Sequence, residues 1–327
     1  MSTPSALRLS QQVAAGVFAI PVPIPYPFRY VNCYLLLGDG AVLVDCALDT
    51  PEATAALEAA LLEHGLRYAD LERLVLTHHH PDHYGLAGLI EREGVGVWML
   101  DVELERGHVF WTREAEMSAA NRALFGLHGV PEAALSDIGQ NMGRTRRQVH
   151  PAHSPKSFAD NEVLTLAGQE WRAIWTPGHA DGHAMLFREA DGVLLAGDQI
   201  LERISPNVGI WAYSYPDPLG MFLKSLERTR GLGARLALPG HYRPIAAVAG
   251  RVDELKAHHA ERLEFLTGLM TEPQTAWALS LGLFAGGLNP VQRRFAWSET
   301  LAHLEYLVGQ GRAIRLEGEV VRFALGG

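Results

Sequence analysis

The feature that most restricts this chain is a run of ligand-type side chains set directly after a short apolar strand. Leu74-Val75-Leu76 reads as a buried strand and ends in Thr77-His78-His79-His80-Pro81-Asp82-His83. Three imidazoles and a carboxylate at His78, His80, Asp82 and His83 suit neither a core nor an idle loop. They are good ligands for Zn²⁺ or another borderline cation. A tight turn after a strand can aim alternate side chains at two nearby points. His78 and His80 are therefore expected at one metal ion, and Asp82 and His83 at a second.

A surface histidine cluster would leave the rest of the sequence unexplained. His179 follows the predicted strand Trp171–Trp175 through Thr176-Pro177-Gly178. Asp198 follows Val193–Ala196 through Gly197. His241 follows Leu236–Leu238 through Pro239-Gly240. A glycine next to each lets the backbone approach closely.

The same periodicities give the fold class. Val17–Val22, Tyr30–Leu37 and Ala41–Cys46 read as strands, the last two as a hairpin about Gly38–Gly40. Pro21–Pro27 is proline-rich and is expected as a stiff connector, not central strand. Thr50-Pro51 opens a helix that Gly65 stops. Residues 101–148 read as a helical insertion. Strands return at Glu162–Leu166, Trp171–Trp175, Ala184–Phe187 and Val193–Ala196, then helix Met221–Leu232. The alternation predicts an α/β, four-layer αββα sandwich. Beyond about residue 252 the pattern changes to three helices (Asp253–Met270, Pro273–Leu283, Asn289–Gly309) and a hairpin (Ala313–Leu316, Val320–Phe323). The expected division is 1–252 for the catalytic domain and 253–327 for a small winged-helix-like domain.

These motifs, in this order and spacing, resemble those of the metallo-β-lactamase superfamily over roughly residues 15–250. The tail, with Ser298-Glu299-Thr300-Leu301-Ala302-His303, is similar to that of one branch, typified by β-lactamase-like protein 2. The resemblance implies two divalent metal ions, zinc first and manganese or iron as alternatives. It places His78, His80 and His179 on the first metal, Asp82, His83 and His241 on the second, and Asp198 between them. It further implies that a metal-bridging hydroxide attacks the substrate, with Asp82 and Asp198 as catalytic residues and the leaving group protonated by water or an Asp82-linked group. Asp45, after strand Ala41–Val44, resembles the family's acid that orients a ligand histidine, and His183 is expected to support the site. His79 is expected to point away.

The aromatic residues Tyr84, Trp111, Trp211, Tyr213 and Tyr242 are candidates for a substrate pocket; each also has a plain packing role open to it. Arg144, Arg146 and Arg147 form a basic cluster that could meet an anionic substrate or form a solvated face. His258 and His259 are expected on a solvated helix face, and His303 in the tail's core or at an interface.

Composition narrows the partners. The net charge is −9, and residues 251–327 carry eight Lys or Arg against nine Asp or Glu. Arg293 and Arg294 are offset by Glu299 and Glu305, a weak nucleic-acid footprint. A small-molecule ester, thioester or lactone is the favoured substrate. A nuclease acting on RNA or DNA, and an iron-dependent oxidoreductase, are the alternatives. The tail is expected to bind nucleic acid, to pack on the catalytic domain, or to form a homodimer. Met1–Gln12 lacks a signal-peptide pattern, and no run of about 18 or more apolar residues predicts a membrane span. Cys33 and Cys46 read as buried thiols, so a reducing cytoplasm is expected.

Overall fold

Two sheets packed face to face carry the site at their rim. The computed structural model describes residues 9–326; for residues 1–8 the reading of the N-terminus lies outside them. The first sheet holds seven strands in sequence order: β1 (Gln11–Ala14), β2 (Val17–Pro23), β3 (Tyr30–Gly38), β4 (Gly40–Val44), β5 (Arg73–Val75), β6 (Gly96–Leu100) and β7 (Lys156–Phe158). The β1–β4 meander is antiparallel, and β4 to β7 are parallel. Parallel neighbours need crossovers. These are α1 (Pro51–Glu63), then α2 (Pro81–Tyr84) with α3 (Ala87–Arg92), then α4 (Asp101–Thr112), α5 (Glu114–Leu127) and α6 (Glu132–Arg146). Thr50 caps α1 by accepting from the Ala53 N–H, with Pro51 in the first turn.

The second sheet runs β12-β11-β10-β9-β8, from β8 (Val163–Leu166), β9 (Gln169–Trp175), β10 (Ala184–Arg188), β11 (Val193–Gly197) and β12 (Leu236–Pro239). Only β11 and β12 are parallel, joined across α7 (Pro218–Gly231).

The period-two alternation of side chains builds the layers. In β4, Val42 and Val44 point between the sheets, while Ala41 and Leu43 point to the α1 and α3 side. In β10, Ala184 and Leu186 face inward, while Met185 and Phe187 face the helices beyond the second sheet. Both faces of these strands are buried, which explains their continuous apolar runs. The resulting order is αββα.

The tail consists of α8 (Val248–Leu269), α9 (Ala276–Leu283), α10 (Pro290–Gly309) and a hairpin of β13 (Ala313–Leu316) with β14 (Arg322–Leu325). It has no core of its own. One apolar cluster joins Ile174, Met185 and Leu194 of the second sheet to Leu255 and Leu266 of α8, Trp297 and Leu304 of α10, and Phe125 and Ile138 of the α5–α6 pair. The Val321 N–H donates to Leu127 O, tying the hairpin to the end of α5.

Three expectations need correction. Pro21 and Pro23 lie inside β2 and not in a connector, because β1 covers only the Val17–Ala19 end, so the outer edge of β2 at the prolines needs no N–H donor. The boundary expected near residue 253 falls within the unbroken helix α8. His259 is buried, not solvated. Its Nδ1 meets His303 Nε2 at 3.1 Å, its Nε2 meets Ser205 Oγ at 3.0 Å, and His303 Nδ1 donates to Glu299 O at 2.7 Å.

This chain of hydrogen bonds excludes protonation of both rings at once, and burial disfavours protonation of either. Burial and the neighbouring ring lower the His259 pKa to about 2, and burial lowers that of His303 to about 3. Between those values and about 6.5, the unfolded chain binds more protons than the folded one, so stability rises with pH in that window and is lost as the pH falls through it. His303→Gln should flatten the pH dependence of the unfolding free energy, read from urea titrations between pH 5 and 6.5, by up to about 1.4 kcal/mol per pH unit. An unchanged slope would show that these rings are not the titrating groups.

Candidate metal centre

The turn after β5 is built by one carboxylate. Asp45 follows β4 with a left-handed backbone (φ 61°), and its own N–H donates to Val75 O. Asp45 Oδ1 accepts from the Thr77 N–H at 2.8 Å, and Oδ2 accepts from Thr77 Oγ1 and His83 Nδ1, each at 2.8 Å. Both ends of the motif are thereby fixed to β4. Pro81 then opens α2, which turns Asp82 and His83 back toward the strand ends.

The hydrogen bonds also set the tautomers. Thr77 Oγ1 gives its proton to Asp45, so it can only accept from His78 Nδ1 at 2.9 Å. That leaves His78 Nε2 with a bare lone pair. His83 Nδ1 donates to Asp45, His179 Nδ1 donates to Asn207 O at 2.8 Å, and His241 Nδ1 donates to Tyr30 O at 2.9 Å. In each ring Nε2 is left to face the centre.

Ligand atoms of His78, His80 and His179 lie within 4.8 Å of one another, as do those of Asp82, His83 and His241. Asp198 lies between the two trios. Its Oδ1 is 3.5 Å from His83 Nε2, and its Oδ2 is 3.5 Å from His241 Nε2 and 3.6 Å from His179 Nε2. His241 Nε2 is 3.2 Å from Asp82 Oδ2. All seven residues named from the sequence thus converge on one place.

The donor set fits divalent cations. His78 Nε2, His83 Nε2 and Asp198 Oδ1 are buried and have no hydrogen-bond partner. Unpaired buried polar atoms are costly, and three of them pointing into one space call for a ligand. Burial, with the neighbouring imidazoles, holds His78 and His80 well below the usual histidine pKa, so both are neutral and ready to coordinate. Burial also opposes charge on His241, but Asp198 and Asp82 outweigh it and raise that pKa to about 10. Burial opposes ionisation of Asp198, yet His241 and His83 hold it well below the usual carboxylate value.

His183 sits behind the centre. Its Nε2 accepts from the Asp198 N–H at 3.0 Å and its Nδ1 meets Thr176 Oγ1 at 2.8 Å. Burial lowers its pKa to about 3. His79 turns away to Glu103, at 2.7 Å from Nδ1. Glu103 is fully buried and also accepts from the His79 and Gly182 backbone N–H groups. It braces the motif turn against the turn after β9, and no sequence pattern marks it.

The aromatic candidates divide. Tyr84 is not a pocket residue. It is buried in the core, accepting from the Ala152 N–H at 3.0 Å and meeting His108 Nδ1 at 2.8 Å. Trp111 is also core, its Nε1 donating to His79 O at 2.7 Å. Tyr213 is exposed on the surface, with its hydroxyl on Glu116. Trp211 is partly buried between Phe125 and Phe295. Tyr242 adjoins His241 with φ 67° and lies under Arg203. Arg146 of the basic cluster is turned to Glu114 and Trp111 O, while Arg144 and Arg147 are exposed. The ring that does stand at the centre is Phe28, 4.6 Å from His241, with Tyr26 at its edge.

Asn207, which the sequence reading passed over, links the centre to the tail. Its carbonyl orients His179, while its Nδ2 donates to Glu299 Oε2 at 3.1 Å and Phe295 O at 3.2 Å on α10. Arg262 of α8 holds the other Glu299 oxygen at 2.9 Å.

Asn207→Ala should cut metal affinity by roughly tenfold or more, because the carbonyl that aims His179 loses its two anchors. A chelator competition on the metal-loaded protein reads this directly, and unaltered affinity would count against the link. Gly240→Ala should be more severe. A Cβ there would lie 2.4 Å from Asp198 Oδ1 and 2.6 Å from His83 Cε1. Metal analysis should find less than wild-type content, and full content would show that the strand end can yield.

Comparison with known proteins agrees with this arrangement. Residues 26–241 match the Metallo-beta-lactamase superfamily, and residues 263–325 match the family described as metallo-beta-lactamase-like, C-terminal domain. The chain is similar to a protein named probable metallo-hydrolase YqjP of Bacillus subtilis strain 168, at 29% identity over 89% of this chain and 92% of that one. Among solved structures, it resembles the metallo-beta-lactamase family protein TTHA1429 from Thermus thermophilus, at 48% identity and TM-score 0.89, over 96% of this chain and 100% of that one. It also resembles a beta-lactamase domain protein from Burkholderia ambifaria, at 31% identity and TM-score 0.85, over 99% and 96% of the two chains. With both matches in place and the site residues gathered at the strand ends, the chain belongs to the metallo-beta-lactamase superfamily and carries that family's C-terminal domain behind the catalytic one.

Proposed function

We propose that this metal-dependent hydrolase cleaves the ester, thioester or lactone bond of a small molecule at a dinuclear centre. The observation that carries the reading is the position of Asp198, within 3.6 Å of ligand atoms from both trios. His78, His80 and His179 would hold one ion, Asp82, His83 and His241 the other, and Asp198 would bridge them. When bound, two such cations supply an acidified water and a Lewis acid for the substrate oxygen. Zinc suits this imidazole-rich set, with manganese or iron as alternatives set by availability.

The chain's own groups then have defined tasks. Asp45, Asn207 and Tyr30 hold three histidines in one tautomer, so no ring has to reorient during the reaction. The departing oxygen or sulfur takes its proton from water or from a group linked to Asp82, one oxygen of which lies 3.2 Å from His241 Nε2. Phe28 excludes water beside His241.

The tail speaks for a small substrate over a nucleic acid. Glu299 and Arg262 pair with each other behind His179, and every residue of α10 from Ala296 to Leu304 is buried, with Trp297 packed on Phe125 of α5. That face is occupied by the protein's own core. The overall charge of −9 points the same way.

Asp198→Ala should strip or disorder both ions and abolish hydrolysis. The check is metal analysis, with about two ions per wild-type chain, paired with a screen of lactones, thioesters, aryl esters and RNA. Activity surviving at full metal content would remove Asp198 from the bridge, and RNA cleavage without ester turnover would favour the nuclease reading.

A further inference from the structure

The second turn of α10 carries a cation whose charge no carboxylate meets among the described residues. Arg294 is partly buried, and its Nε is shut off from solvent without a hydrogen-bond partner. Its guanidinium lies 4.6 Å from the Phe295 ring and 5.6 Å from the Trp211 ring. Among the described residues no carboxylate offsets its charge, and the one titratable group that acts on it is the Tyr26 phenol. Burial lowers its pKa to about 10, which still leaves it charged at neutral pH.

Its neighbours place it at the site. Tyr26 feels the charges of both Arg294 and the ligand acid Asp82, and sits beside Thr145 of α6. Tyr26 also packs edge-on against Phe28, which packs on His241. From the other side, the carbonyl of Phe295, the next residue, accepts from the side-chain amide of Asn207, the residue whose backbone carbonyl holds His179. A half-shielded guanidinium that has aromatic faces but no carboxylate beside it is a poor device for stability, since cation–π contact only partly offsets its lost hydration. It is a good device for binding an anion.

We propose that Arg294, its guanidinium held over the Phe295 and Trp211 rings and with Tyr26 as its titratable neighbour, forms an anion subsite beside the metal centre that takes a carboxylate or phosphate group carried by the substrate away from the scissile bond. The substrate class narrows accordingly to esters, thioesters or lactones with a negatively charged arm. This rests on the hydrolase reading above for its reaction, but not for its binding site.

The test uses the full-length, metal-loaded protein and two aryl esters that differ only in a terminal carboxylate, 4-nitrophenyl butyrate and mono-4-nitrophenyl glutarate. Arg294→Met should raise KM for the glutarate ester by roughly tenfold or more, the size expected for a lost charge-assisted hydrogen bond. The loss on the butyrate ester should be far smaller. Arg294→Lys should recover part of the difference, and Arg294→Met should melt no lower than wild type. The matching 4-nitroanilides, followed by Trp fluorescence, separate this proposal from the reaction assigned above. The wild type should bind the glutaric anilide more tightly than the butyric one, and Arg294→Met should bind the two alike, whether or not either ester is cleaved. Equal losses on both esters, or no preference of the wild type for the charged anilide, would overturn the subsite.

Discussion

The Asp45 carboxylate is the fixed point of this structure. Its two oxygens take three protons from Thr77 and His83, and its backbone N–H is tied to Val75, so one residue fixes the end of β5 and both ends of the motif that follows it. The arrangement requires a left-handed backbone at a non-glycine residue, a strain of about 1–3 kcal/mol that the surrounding sheet must hold in place. What it provides is direction. His83 is turned so that Nε2 faces Asp198, and Thr77 is left able only to accept from His78. Two ring orientations are decided before any cation arrives.

Much of this was legible in the sequence because it follows from local rules. Short apolar runs that end in His or Asp mark both the strands and the ligand-type residues, since a buried strand end is where a side chain can be held rigidly. All seven ligand-type residues could therefore be named without coordinates. The features that escaped are contributed by backbone or by long-range packing. The carbonyls of Asn207 and Tyr30 orient His179 and His241, and a carbonyl has no side-chain signature. Glu103 looks like one more acid of an amphipathic helix until the turn at Gly182 is laid against it. Pro21 reads as a strand breaker unless one knows that β1 stops short of it. Tyr84 follows the motif directly in sequence, yet helix α2 sends it into the core. His259 reads as solvated because its helix looks polar, and only the packing of α10 shows why it is buried.

The tail and the catalytic layers share one apolar cluster, and this changes what each can be asked to do. A separate module could carry a function of its own and be exchanged. Here Trp297 packs on Phe125 of the helical insertion, with ring centroids 4.4 Å apart, and both lie in the cluster that covers the second sheet. The tail, the insertion and the sheet therefore fold against one another. The path from Arg262 through Glu299 and Asn207 to His179 is the polar counterpart of that shared core.

Helix α8 runs unbroken for 22 residues from the catalytic layers into the tail. A rigid-body swing of one part against the other would have to melt backbone hydrogen bonds in mid-helix and open a packed core. Movement that admits a substrate is thus confined to what lies outside these elements, the turn at Tyr26–Phe28 and the stretch between β11 and α7. The two parts are built to travel as one body, and opening is left to the rim.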